Sequence, residues 1–430
     1  MRGLFVDLTP LRTSSPYRHL WAGGALTGIG SALVGVVVGL QVYDLSGSTL
    51  AVGMVGLFSL VPLVVLGLYG GSVVDAYDRR KVLVFTNLGL CVVGIALTVL
   101  AWSGAATVGI LYGLVALQSG LFAIHTPARS AVIPRLLPVA LLPAANALGG
   151  LAMGLSMAVG PMVGGVAVDR VGYEWAYGFQ VVMQLAAFVL LFSLPGLPPL
   201  GEVRRAGIRS VLEGFAFLRT RPTVAMTFYV DLCAMVLAMP RVLFPAMGAL
   251  MIGGGATTVG ILVSAIAVGS FLGGVFSGRL GRINRQGLAI VVSVVIWGLL
   301  VAAFGAVVAV APGPLPGGGA NWALWPAAVI LGLAGVADTV SAVFRTTILQ
   351  VATPDALRGR LQGVFTVVVA GGPHLGALVL GAIAALRGEA SAAILGGIAC
   401  VIAVILLSWR QKGLLVYDAR TPGAEERVNR

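Results

Sequence analysis

The chain has 430 residues, of which 58% are hydrophobic and only 10% charged, and its mean hydropathy of +1.02 lies outside the range of water-soluble globular proteins. Composition excludes a soluble enzyme or binding domain and predicts a polytopic membrane protein. A formal charge of +12 would suggest a nucleic-acid partner in a soluble chain, but here the basic residues follow a membrane topology, so no nucleic acid is expected.

Residues 1–20 carry Arg2, Arg12 and Arg18 with no continuous apolar stretch, which reads as a retained cytoplasmic lead-in rather than a cleavable signal peptide. Apolar runs of spanning length follow at 17–43, 49–74, 82–103, 105–127, 143–168, 173–194, 223–249, 256–278, 286–311, 321–344, 361–385 and 390–409. The expected fold class is therefore all-α, with twelve transmembrane helices. In the loop 195–222, Ile208, Val211, Leu212, Phe215 and Leu218 recur at helical spacing, predicting a short helix in the membrane interface. Residues 312–320 read as a flexible outer turn and 413–430 as a disordered tail. Cys91, Cys233 and Cys400 all sit inside apolar runs and read as small core residues.

With the N-terminus in the cytoplasm, 24 of the 27 lysines and arginines fall on the inner side, leaving Arg170 and Arg387 outside and Arg241 inside a span. The opposite orientation would invert that ratio. The positive-inside rule thus predicts both termini in the cytoplasm of a multi-pass protein of the plasma (inner) membrane.

The chain also repeats itself. "RSAVIPRLLPVAL" after the fourth segment and "RTTILQVATPDAL" after the tenth align Arg129 with Arg345, Pro138 with Pro354 and Leu141 with Leu357 at one offset of 216 residues. "GPMVG" from Gly160 is answered by "GPHLG" from Gly372, and the inner loop "GSVVDAYDRRK" from Gly71 by "GVFSGRLGR" from Gly274. Two pseudo-symmetric six-helix bundles are expected, 1–194 and 223–412, joined by a cytoplasmic linker at 195–222 and followed by a tail at 413–430.

At these residues the chain resembles the major facilitator superfamily over nearly its whole length. The inner-loop signature of that superfamily, G-x-x-x-D-R-x-G-R-R, is matched by Gly71, Asp75, Arg79 and Arg80, with Ala76 in place of a basic residue and Asp78 in place of glycine. The second copy keeps Gly274, Arg279, Gly281 and Arg282 but has Gly278 where aspartate is usual. Gly160-Pro161-x-x-Gly164-Gly165 is similar to the antiporter signature of superfamily exporters, with Ser156 and Ala147 at two positions usually held by glycine. Small residues there would let helices approach closely at the seam between halves. Further stretches, including "DLCAMVLAMPRVLFPAM", look like the branch that holds enterobactin exporters and macrolide or tetracycline efflux proteins. An arginine inside the fourth segment, usual in some proton-coupled exporters, is absent; Gln118 and His125 stand there instead.

Asp231, Arg241 and Asp338 lie inside apolar runs, where each charge costs about 2.5–3.5 kcal/mol unless it meets water or a partner. The resemblance implies that segments 1, 4, 7 and 10 line a central cavity, and a helical rise puts both carboxylates roughly 10–12 Å from the inner boundary. Asp231 and Asp338 then face that cavity and exchange protons, with Gln118 and Arg241 lining it. Two alternatives stand beside this: Asp231 bonds to a neighbouring helix, and Asp338 pairs with Arg345 seven residues on. The resemblance also implies a conformational gate in which Asp75 contacts the inner end of the eleventh helix near Leu361 to Phe365, with Arg79 and Arg80 tying inner loops together. Gly71, Gly160, Pro161, Arg279, Gly281 and Arg282 complete that gate. His19, His125 and His374 have no ligand spacing, so no metal and no other cofactor are expected.

No phosphate-cradling loop or nucleophile constellation appears, which argues against primary active transport and against an enzyme. The sequence reads as a secondary exporter of an amphipathic small molecule, working as a monomer in the bilayer by proton antiport. A siderophore is the leading substrate, an anion suiting Arg241. The alternative is multidrug efflux of macrolides or tetracyclines, whose cationic members would suit Asp231 and Asp338.

Overall fold

The computed structural model describes residues 7–198, 216, 218, 221–275, 283–352, 355–415 and 417; side chains at 68–72, 75, 350–352 and 355–370 fall outside the description. Among the described residues every regular element is helical. A five-residue helix, Thr9–Thr13, precedes α1 (Ser15–Ser46), α2 (Thr49–Ala76), α3 (Arg79–Ser103) and α4 (Val108–Leu136). The long element α5 (Leu142–Phe192) is interrupted at Gly172, whose φ of 86° and ψ of 173° no residue with a Cβ adopts cheaply, so it counts as two spans. Then come α6 (Pro222–Leu237), α7 (Gly255–Val275), α8 (Gln286–Ala309), α9 (Leu324–Ala352), α10 (Asp355–Arg387) and α11 (Glu389–Arg410).

Ten helical stretches among the described residues are long and apolar enough to cross a membrane; one of them contains the Gly172 break, and α10, at 33 residues, adds a further helix of spanning length. The chain is an all-α, multi-pass membrane protein, as its hydropathy predicts. Sequence and structure part at two helix ends. The apolar runs stop near 127 and 344, but α4 and α9 continue to Leu136 and Ala352, carrying Arg129 and Arg345 inside helices rather than in loops. Hydropathy ends where charge begins, while backbone hydrogen bonding does not.

The chain divides into two compact units, Met1–Leu45 with Phe58–Gly207, and Ser46–Leu57 with Ile208–Arg430. In unit 1, α1 packs on the first limb of α5, where a methyl on Gly160 would come within 2.7 Å of the Ile29 carbonyl oxygen and one on Gly164 within 3.1 Å of Val37. α3 packs on the second limb through a buried polar network: Asn87 donates to Thr27 at 3.1 Å and to Gln184 at 2.7 Å, and Tyr177 donates to Gln41 at 2.7 Å. With no hydrophobic drive between helices in lipid, such close small-residue seams and interhelical hydrogen bonds supply the adhesion.

Unit 2 uses the same devices. α7 and α9 close on Gly269, Gly332 and Gly335, with Thr339 donating to the Ser270 carbonyl at 3.0 Å. The start of α2 belongs to this unit by packing: Gly53 and Gly56 lie against the Ala377 and His374 carbonyls of α10, and Thr49 donates to Glu389 at 2.8 Å.

Candidate functional site

The element that positions the site is a broken helix. The seventh apolar run, expected to be continuous over 223–249, is helical only to Leu237; Ala238 and Met239 leave the helix, a 3-10 turn follows at Pro240–Leu243, and a π-helical stretch, Met247–Ile252, closes the run. Pro240 has no N–H to continue the ladder. The Ala238 carbonyl accepts a hydrogen bond from the indole of buried Trp297 on α8 at 3.0 Å. Irregular backbone at membrane depth persists only where neighbouring protein or cavity water satisfies it, which is how substrate and ion sites are built in many transporters.

Around this break stand four charged side chains of unit 2. Asp231, on α6, is fully buried and forms an ion pair with Arg345 of α9, whose side chain is only 5% exposed. The second terminal nitrogen of the same guanidinium lies 3.6 Å from Asp338, one helical repeat earlier on α9; this carboxylate keeps 32% of its exposure. Arg241 follows the break, its Nε buried without a hydrogen-bond partner, and it lies within electrostatic reach of both Asp338 and His374 of α10. Two cations and two anions thus share one neighbourhood. Each offsets part of the other's desolvation cost.

Both alternatives that the sequence left open for the acids are present together, because Arg345 serves both. Sequence reasoning had Arg345 as a repeat marker and as a partner for Asp338 alone, and did not count it among the site residues. The overlooked signal was the 216-residue repeat itself. Arg129 on α4 packs against Gly24 of α1, while Arg345 on α9 meets Asp231 of α6, so each repeat sends its arginine to its own first helix, and only the second offers an acid there.

The other predicted residues distribute differently. Gln118, on α4 of unit 1, is half-buried with its Oε1 unpartnered. Arg79 donates to the Ala131 carbonyl at 3.0 Å, and Arg80 donates to the Phe192 carbonyl at 2.5 Å while its guanidinium lies 4.9 Å above the Phe192 ring. Asp78, the departure from the loop signature, caps α3 by accepting from the Arg80 backbone N–H at 2.9 Å and accepts from the Leu197 N–H at 3.2 Å; the Arg79 N–H donates to the Leu197 carbonyl at 3.1 Å. These residues fasten the exit of α5 within unit 1. The close approach at Gly160 is likewise to α1 of the same unit, whereas the sequence reading set it at a seam between halves; Pro161 is buried beside it. Arg279, Gly281 and Arg282, the side chains of Gly71, Asp75 and 361–365, and most of the linker 195–222 lie outside the described residues. Among the described residues no cluster of His, Cys, Asp or Glu could hold a metal ion.

Residues 6–421 match the family model described as a transmembrane secretion effector. An enterobactin exporter from Citrobacter koseri is 30% identical over 94% of this chain and 93% of the relative, and one from Shigella boydii is 30% identical over 94% and 93%. Among solved structures, the nucleoside transporter NupG is similar with a TM-score of 0.72 at 13% identity, covering 92% of this chain and 99% of that one. A D-xylose–proton symporter follows at 0.69 and 13%, covering 94% and 98%, and the human organic anion transporter MFSD10 at 0.60 and 16%, covering 91% and 99%. The family match and the enterobactin-exporter relatives identify a transporter rather than an enzyme. The chain belongs to the transmembrane secretion effector family of the major facilitator superfamily.

Proposed function

We propose that this protein is a proton-coupled exporter of a siderophore of the enterobactin type, working by alternating access in the plasma (inner) membrane with both termini in the cytoplasm. The carrying observation is the Asp231–Arg345–Asp338 cluster beside a broken helix, in a chain 30% identical to enterobactin exporters over nearly its full length. Ionisable groups in spanning segments are costly and mark substrate or proton pathways. Here a carboxylate with 32% of its exposure is retained where a hydrophobic residue would be cheaper.

On this reading Gln118 contacts the substrate, and Asp338 and Arg241 face a water-accessible cavity. The inner-loop residues Gly71, Asp75, Arg79, Arg80, Arg279, Gly281 and Arg282, with Gly160 and Pro161, govern its opening. Proton entry down its gradient drives substrate outward, and the protein acts as a monomer.

The test is transport in proteoliposomes. Purified protein should move enterobactin across the bilayer when a pH gradient is imposed and should lose most of that movement when the gradient is collapsed with an ionophore. Tetracycline or a macrolide moving in place of enterobactin would favour the multidrug reading. Movement of none of the three would defeat the proposal.

A further inference from the structure

The two acids of the cluster are not equivalent. Asp231 is 2% exposed, and its carboxylate is locked on an arginine that is itself 5% exposed; Asp338 keeps 32% of its side-chain exposure and lies 3.6 Å from the same arginine. A proton must arrive through water, and a group without accessible surface in either hydration or hydrogen-bond terms exchanges slowly. The charges facing Asp338 are few. α7 and α8, which pack on α9, contain no titratable residue at all, and α9 itself contributes only Arg345. Arg241, after the break, acts on Asp338 electrostatically; Asp231 of α6 is linked to it through Arg345, and His374 of α10 lies within electrostatic reach of Arg241.

With His374 neutral, the cluster sums to zero when Asp338 is ionised and to one positive charge when it is protonated. The sign of coupling follows by linkage. In antiport, proton and substrate must exclude one another at the site. An anion binds better to the protonated, positive cluster, so it would travel with the proton, in the direction that wastes the gradient for an exporter. A cation or a hydrogen-bond donor binds better to the carboxylate, and its arrival expels the proton.

We propose that Asp338 is the group that exchanges the transported proton. Asp231 and Arg345 form a fixed neutral pair that positions it, and the substrate group meeting Asp338 is a hydrogen-bond donor or a cation, not an anion. This assignment rests on the exporter reading above. It replaces the attraction of an anionic substrate to Arg241 with recognition of a hydrogen-bond donor or a cation by Asp338.

Infrared spectroscopy of the lipid-reconstituted protein tests the assignment without any ligand. A protonated-carboxyl C=O band should appear as pH is lowered and vanish as pH is raised. It should be lost in Asp338→Asn, regained as a shifted band in Asp338→Glu, and kept in the double variant Asp231→Asn/Arg345→Gln, which removes one charge of each sign and so leaves the net charge of the cluster unchanged. A band that survives Asp338→Asn, or that disappears in the double variant, overturns the assignment. Adding enterobactin to the wild-type protein in weak buffer should release protons; proton uptake overturns the substrate class. Should enterobactin neither bind nor move in proteoliposomes, the exporter reading fails while the infrared result still decides the role of Asp338.

Discussion

At the scale of single residues, the ion pair between Asp231 and Arg345 is the costliest contact to disturb. Removing one partner leaves a buried charge uncompensated, worth about 3–5 kcal/mol, whereas removing both is close to neutral. Asp231→Asn should therefore lower the thermal unfolding midpoint in detergent markedly, and adding Arg345→Gln should recover most of the loss. Equal or additive losses would show that the pair carries no such energy. Asp231 was legible in the sequence because one carboxylate in an apolar run is conspicuous. Arg345 was not, because it stands past the point where hydropathy ends and reads as a loop cation until a helix carries it back against α6. Arg241 was visible as a charge, but its place after a broken turn was not, since Pro240 announces a kink without fixing where helix resumes.

At the scale of elements, the signature position held by Asp78 gives the chain a cap and a strap at once. Its carboxylate accepts from the Arg80 N–H at the start of α3 and from the Leu197 N–H beyond the end of α5. Loss of a helix cap costs about 0.5–2 kcal/mol. Asp78→Ala should speed amide hydrogen exchange across the Ser193–Pro198 exit and the first turn of α3, with little change in α7 to α11; unchanged exchange at Leu197 and Arg80 would refute the strap. Helix positions were largely readable, since a run of about twenty apolar residues can do little else in a bilayer. What escaped was continuity. α4 and α9 run on past their apolar parts, and the seventh run breaks where a proline and tight packing on Trp297 replace regular hydrogen bonding.

At the scale of the whole molecule, duplication was legible from arginine, proline and glycine positions alone, and the family match and the similar solved structures agree with the fold it implied. The asymmetry between the copies was not. Only the contact geometry shows that Arg129 meets glycine while Arg345 meets two carboxylates, concentrating the buried charge in unit 2. Reversing the driving force tests most directly whether that charge serves proton–substrate exchange. Proteoliposomes holding a pH dye and no imposed pH gradient are given an enterobactin gradient. Substrate flux should carry protons the opposite way in the wild-type protein, and Asp338→Asn should abolish that proton movement. Enterobactin crossing with no proton movement, or with protons in the same direction, would contradict the account.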